Sequence, residues 1–268
     1  MSYKFSWVIA SGLFATLASI APAQAFTTFT FNTSYSPKPA DPTKDIKLES
    51  VTLGDTTVNS FNLVNRANIL VNNLPAPIPG QSVQGPGSSD AGTNTGSDPL
   101  LPEGPVVESP TEANIVASLG NLNLNSIIDT EDKWGTSSFN LFFDQPSDHF
   151  FLYERGMNSD LLVEAIDASG NLLGESFKIT RDLWASAGYS IMTHEIADQP
   201  QPQAVGSFGL KTKTTIAGLR LTSFNSNPNS FNGPDYKVVA AKVPEPTVLL
   251  GLAMAGGSLP LLRRRKLA

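Results

Sequence analysis

From Phe139 onward the chain repeats one unit, a short run of β-branched and aromatic residues followed by a cluster of turn formers. Phe139, Leu141 and Phe143 alternate with other residues, and the runs 150–153, 161–166, 172–177, 216–221 and 236–241 follow at regular spacing. That spacing predicts short strands. Ala168-Ser169-Gly170-Asn171 reads as a hairpin turn, because glycine and asparagine tolerate positive φ. Earlier in the chain, 26–31 (FTTFTF) and 46–53 (IKLESVTL) have the same character, and 57–63 and 67–71 continue it after a Gly54-Asp55 turn. Many short strands joined by polar turns predict an all-β chain folded as an antiparallel β-sandwich of the jelly-roll kind, with one or two short helices. No repeat period of a solenoid or propeller is present.

The 268 residues contain no cysteine, so a disulfide framework, a thiolate metal site and a cysteine nucleophile are all excluded. Stability has to come from burial. Roughly 220 residues between the two termini suffice for one sizeable core. A single domain over 26–242 is expected, interrupted between 74 and 109 by a stretch rich in Pro, Gly, Ser and Asp, with few large apolar residues and no Lys or Arg. Such a segment buries too little apolar surface to offset its ordering entropy, so 75–105 is predicted to be a disordered insertion. An interdomain linker is the alternative, although about 50 residues before it are few for an independent β domain.

Ser109-Pro110-Thr111-Glu112 predicts a helix start with Ser109 as N-cap, Pro110 at the first helical position and Glu112 at the third. The helix should run over 110–119 and end at Gly120 through a left-handed cap. Leu122, Leu124, Ile127 and Ile128 offer a second apolar set, compatible with a further helical turn.

Both termini carry the pattern of an exported protein. Lys4, an apolar stretch over 7–20 and the small-x-small sequence Ala23-Gln24-Ala25 form a signal peptide over 1–25, with signal-peptidase recognition at Ala23 and Ala25 and a mature start at Phe26. An uncleaved anchor is the alternative, but the apolar stretch is shorter than the roughly 20 residues of a span. At the other end, 243–268 joins Pro244-Glu245-Pro246, an uncharged apolar segment over 247–262, and the basic stop Arg263, Arg264, Arg265 and Lys266. The prolines fix φ and lack an N–H, so a membrane segment begins after them, and the basic residues place its end in the cytoplasm. As a helix the segment rises about 24 Å against a hydrocarbon core of about 30 Å, and Gly251, Gly256, Gly257 and Pro260 weaken it, which suits a transient anchor. A permanent single span is the alternative. This three-part order resembles the PEP-CTERM sorting signal of bacterial exported proteins, and the resemblance implies recognition and processing by an exosortase.

Removing Lys4 and the four C-terminal basic residues takes the 18 basic residues to 13 against 24 acidic ones, a net charge of about −11. That balance argues against nucleic acid and against an anionic membrane surface as partners. Three stretches of the body, 48–54 (LESVTLG), 125–132 (NSIIDTED) and 151–161 (FLYERGMNSDL), resemble a family of exosortase-dependent surface proteins. The resemblance spans about 45–242 and implies export and sorting but no catalytic residue.

The candidate chemistry is sparse. His149 and His194 stand apart, with neither zinc-site spacing nor a nucleophile elbow nearby, and read as surface or loop histidines. The segment 153–160 is the densest polar cluster between two strands, and Tyr153, Glu154, Asn158 and Asp160 are the candidates there for binding a sugar or calcium. The plainer reading is a loop with a Glu154–Arg155 surface charge pair. Glu131, Asp132 and Asp182 raise glycoside hydrolysis, which needs two acids at a set separation. Trp184 is expected in the core, next to a single helical turn over 181–185. An exposed row of Trp134, Tyr153 or Tyr189 beside Glu154 and Asp160 would mark a carbohydrate-binding module. The chain is therefore expected to be an exported surface or extracellular-matrix protein without catalytic activity, cofactor or metal. Its expected partners are the secretion machinery, signal peptidase, exosortase, the membrane as a transient anchor, and extracellular polysaccharide. Carbohydrate binding is the second reading and a hydrolase the third.

Overall fold

The computed structural model describes residues 25–73, 86–92, 102–130, 135–194, 201–225 and 233–242. The chain opens with β1 (Phe26–Phe29), β2 (Asn32–Ser36), β3 (Lys47–Leu53) and β4 (Thr56–Val58). Gly54, at φ +54°, makes the expected hairpin turn, pairing Leu53 with Thr56 and Val51 with Val58. The strand expected over 57–63 is split: β4 stays with β3 in a 3-stranded sheet, whereas β5 (Phe61–Asn62) and β6 (Val64–Asn73) join the main sheet.

Within the insertion expected to be disordered, Gly87–Asp90 forms β7, and Val107 exchanges backbone hydrogen bonds with Ser89 at 2.8 and 2.9 Å. Low apolar content predicted disorder, but a backbone ladder and buried side-chain polar contacts hold this piece instead. Residues 74–85 and 93–101 of that stretch lie outside the described residues. Helix α1 (Glu112–Leu119) also starts later than expected, with Thr111 as N-cap and Asn114 completing the capping box. Its end is not left-handed: Gly120 has φ −83°. Glycine is required there by space, because a Cβ would sit 2.5 Å from Val116 O and 2.6 Å from Val64 O. Ile127 and Ile128 are not helical. They belong to β8 (Ile127–Thr130), which pairs with β7.

Then come β9 (Gly135–Arg155), β10 (Leu161–Ile166), β11 (Phe177–Ile179), a 3-10 turn over Arg181–Leu183, β12 (Ala185–Ile191), β13 (Gln203–Asn225) and β14 (Asp235–Ala241). The strand expected over 172–177 reduces to an isolated bridge between Leu172 and Ile166 and the first residue of β11, and β10 pairs with β11 on one side and β13 on the other.

β9 and β13 carry the architecture. They pair antiparallel along almost their whole length, from Asn225 opposite Gly135 to Val205 opposite Arg155, with the register broken around Ile216. Pro146 lies in that break, where a missing N–H costs no ladder bond. At the kink the pair passes from one layer to another. The first half of β9 and the second half of β13 join β6, β10 and β11, while the other halves join β14, β1 and β12. Gly218 marks the close approach, since a Cβ there would lie 2.2 Å from Leu141 O.

The outcome is the all-β antiparallel sandwich expected from the sequence, with a third layer added. Between the two halves lies a core of Phe139, Leu141, Phe150, Leu152, Leu219 and Val238, closed by Ile115 and Leu119 of α1. On the opposite face of the β9–β14 layer is a second core, in which Phe151, Tyr153 and Val239 pack against Phe31, Ile46, Leu48 and Val51. The middle layer is therefore covered on both faces, and every residue of β14 is buried. The substitution Gly218→Ala is expected to lower stability by about 1–3 kcal/mol, because the clash is with backbone and cannot be relieved by a rotamer change. Urea denaturation would show this as a lower midpoint at unchanged slope.

Candidate functional site

The residues nominated by sequence do not converge. Tyr153 is 2% exposed and turns into the second core, where Thr33 Oγ1 donates to its hydroxyl at 3.3 Å and burial raises its pKa. Glu154 is fully buried, and strand alternation points it to the opposite face from Tyr153. It is therefore not half of a solvated charge pair with Arg155, as the sequence suggested: both side chains are buried, on opposite faces, because the middle layer has no solvent side. Asn158 accepts from Ser159 Oγ at 3.0 Å. Asp160 is bound to Lys178 Nζ at 2.8 Å and to the Arg181 backbone N–H at 2.9 Å. Burial would raise its pKa, but these partners outweigh it and hold the carboxyl below the usual range.

Of the expected aromatic row, Tyr153 and Tyr189 are both off the surface, Tyr189 being buried against Tyr35 and Tyr153. Trp184 fills the core as expected, donating from Nε1 to Ser159 O at 2.9 Å and meeting Phe208 edge-on. Of the remaining candidates, His149 bonds Asp148 at 2.8 Å and packs on Phe29, His194 is exposed, and Asp182 accepts from Thr180 Oγ1 at 2.6 Å. Glu131, Asp132 and Trp134 lie outside the described residues, as do the terminal sorting residues.

What the fold does bring together is a buried ionic row across β9, β14, β8 and β7. Arg155 stands directly opposite Asp235, and the Tyr236–Ile128 pair sets Asp235 beside Asp129. Arg155 donates to Asp235 Oδ2 from Nε at 3.0 Å and from Nη2 at 2.7 Å, and it reaches Asp129 at 3.4 Å. Its Nη1 donates to Thr193 Oγ1. Thr130 N–H supplies Asp235 Oδ1 at 2.9 Å. Asp90, 1% exposed, closes the row from β7: Ala91 N–H donates to its Oδ1 at 2.7 Å, while Oδ2 has no hydrogen-bond partner among the described residues.

Three carboxylates thus share one guanidinium. Burial first, and the Asp129 charge second, push the Asp90 pKa up to about 8. Burial raises Asp235 well above the carboxylate range despite Arg155, and burial and Asp129 together raise Glu108.

A second buried cation lies on the same strand and face as Asp235. Lys237 is fully buried, and its Nζ donates to Ser118 O at 2.8 Å, Ser126 O at 3.0 Å and Asn121 Oδ1 at 3.1 Å. Burial lowers its pKa well below the usual lysine value. It ties the C-terminal end of α1 to the loop before β8, where an ammonium satisfies carbonyls that the helix leaves open. Sequence reasoning missed Asp90, Asp129, Thr193, Asp235 and Lys237. The available signal was a charge inside an otherwise apolar strand, in DYKVVAA and FFLYER, which requires a buried partner.

A cavity of about 260 Å³, lined in part by Arg66, Phe142, Phe143 and Pro146, lies at the β9 kink and includes no member of the ionic row. The Arg66 guanidinium covers the Phe142 ring at 3.3 Å and donates to Ala168 O at 3.0 Å, so it secures the 167–171 turn. Among the described residues, no group of three or more His, Asp or Glu side chains is arranged to hold a metal, and no helix is long and apolar enough to cross a membrane.

Comparison with known proteins returns no matching family model, no matching curated protein and no matching solved structure. The fold and its buried ionic row define an all-β sandwich with a third layer.

Replacing Arg155 by Met leaves buried Asp90 and Asp235 and half-buried Asp129 without their cation, and the expected loss of stability at neutral pH is about 3–5 kcal/mol. Because burial raises the Asp90 and Asp235 pKa values, the loss should shrink as pH falls and these groups take up protons. Urea melts at mildly acidic and neutral pH test both signs. Lys237→Met should cost about 1–3 kcal/mol by orphaning the Ser118 and Ser126 carbonyls, with early loss of α1 amide protection in hydrogen exchange.

Proposed function

We propose that this chain is an exported cell-surface or extracellular-matrix protein that is sorted through its C-terminal signal and does not act as an enzyme. The observation that carries the reading is the order of Pro244-Glu245-Pro246, the uncharged apolar segment and the four-residue basic stop, opposite an N-terminal leader ending in Ala23-Gln24-Ala25. One such feature is common; the pair, in this arrangement, describes a route. Secretion machinery and signal peptidase act on the leader, an exosortase on the C-terminal signal, and the membrane holds the precursor.

The described ladder is compatible with the same reading. Among the described residues the main sheet's first pair is Phe26 with Thr212, and Phe26 is the residue that leader cleavage would leave first. At the other end β14 stops at Ala241, and Lys242 N–H still donates to Ser60 O at 3.0 Å, two residues before Pro244. Both cuts would thus spare the ladder. The burial of Tyr153 and Tyr189 weakens the carbohydrate-binding alternative, because two of its three stacking candidates face the core.

Mass spectrometry of terminal peptides, taken separately from membrane and extracellular fractions of the producing cell, tests the proposal. A mature start at Phe26 and an end near Glu245 are expected, with replacement of Pro244, Glu245 and Pro246 by Ala trapping the precursor in the membrane fraction. Recovery of an intact C-terminus through Arg265 in the membrane fraction alone would refute processing.

A further inference from the structure

The end of the main sheet is built from residues that do not suit an ordinary edge. β7 is the last strand in the sheet order, four residues of Gly, Ser and Asp with no large apolar side chain. Among the described residues its hydrogen-bonded attachments include the ladder to β8, the Val107 bridge, the Gly92–Thr193 bridge, Ser88 Oγ on Asp129 O at 3.4 Å, and Asn72, whose side chain bonds both the N–H and the carbonyl of Gly87 at 2.9 and 2.8 Å. Yet every residue of β7 is buried, and one of them is an acid. Burying an unneutralised carboxylate in so short an edge element would be strongly unfavourable.

Among the described residues, the surroundings of Asp90 do not supply the missing charge. From β8 it meets Asp129; from β9 it meets Arg155, already committed to Asp235 of β14 and to Thr193. Thr193 itself offers a hydroxyl to Asp90, and Glu108 adds a further acid beside Asp129. Lys237 is directed to the carbonyls of Ser118 and Ser126, and His194 is exposed, with its backbone N–H on Ala91 O. One guanidinium therefore faces Asp90, Asp129 and Asp235 together. Among the described residues no further cation reaches Asp90, and a proton neutralises it there.

We propose that Asp90 makes β7 a proton-tightened latch: proton uptake by the acid row fastens the edge strand to β8, and proton loss loosens it while the β9–β13 pair stays closed. An open β7 exposes Asp90 to water and returns it to an ordinary carboxylate. The closed strand therefore binds a proton more tightly than the open one. Closure is fully favoured below the open-state pKa and is lost progressively as pH rises through the closed-state value of about 8. The device is local, because the β9–β13 pair holds a long ladder of its own.

Hydrogen–deuterium exchange of the folded protein, followed by mass spectrometry and corrected for the intrinsic pH dependence of amide exchange, tests the latch. Between about pH 5 and about pH 8 the opening constant of the 87–90 and 127–130 amides should rise by up to about 10-fold per pH unit, then level off. Amides in the β9–β13 ladder should not follow. Asp90→Asn should abolish the pH dependence and keep β7 protected at alkaline pH. A flat opening constant in the unaltered protein would overturn the latch, and so would a rise shared equally by the β9–β13 amides. If Asp90→Asn does not fold, the pH series on the unaltered chain still separates a local, pH-dependent opening from a flat or global one.

Discussion

The middle layer has no solvent side, and most of what is unusual here follows from that. When a sheet is covered on both faces, each strand that crosses it must be apolar throughout or must neutralise its polar groups internally. The second half of β9 and the whole of β14 meet the first requirement with runs of Phe, Leu, Val and Ala, and the second through Arg155, Asp235 and Lys237. Lys237 is satisfied by carbonyls left over at a helix end; Arg155 by a carboxylate directly across the ladder. Each ties a peripheral element to the middle layer. Lys237 anchors the end of α1 and the loop before β8, and the Arg155 row reaches β8, β7 and Thr193.

The two long strands make this layer possible. Because β9 and β13 remain paired through a register break, one continuous ladder serves two layers, and neither layer needs its own closing edge there. The kink needs small or unusual residues: Pro146 where no ladder bond is made, and Gly218 where the Leu141 carbonyl comes too close for a Cβ. The same geometry fills the space between the halves with large side chains such as Phe139, Phe150 and Leu219, leaving the polar chemistry to the sheet end.

Several elements are legible in the sequence because their signals are local. The strand expected over 161–166 has those bounds in the fold, Gly54 makes the hairpin turn, and Trp184 lies in the core beside a single helical turn. Where the sequence misleads, a distant partner has intervened or a neighbour has competed. Ser109 loses the cap to Thr111 because Asn114 completes a reciprocal box. Gly87–Asp90 joins a sheet despite an unpromising composition, since β8, Val107 and Asn72 supply the hydrogen bonds. Glu154 and Arg155 look like a surface pair because a sequence cannot reveal that both faces of their strand are covered.

From the sequence alone come the all-β class, the positions of most strands and turns, and the absence of thiol chemistry; these depend on period, on turn residues and on composition, which neighbouring residues settle among themselves. The tertiary structure decided the third layer, the burial of Tyr153 and Tyr189, and the assembly of Asp90, Asp129, Arg155 and Asp235 into one row. Those residues are scattered along the chain, and only strand pairing brings them within hydrogen-bonding distance. Burial then does what no local pattern can: it turns ordinary surface-type charges into groups that must share a cation or take up a proton.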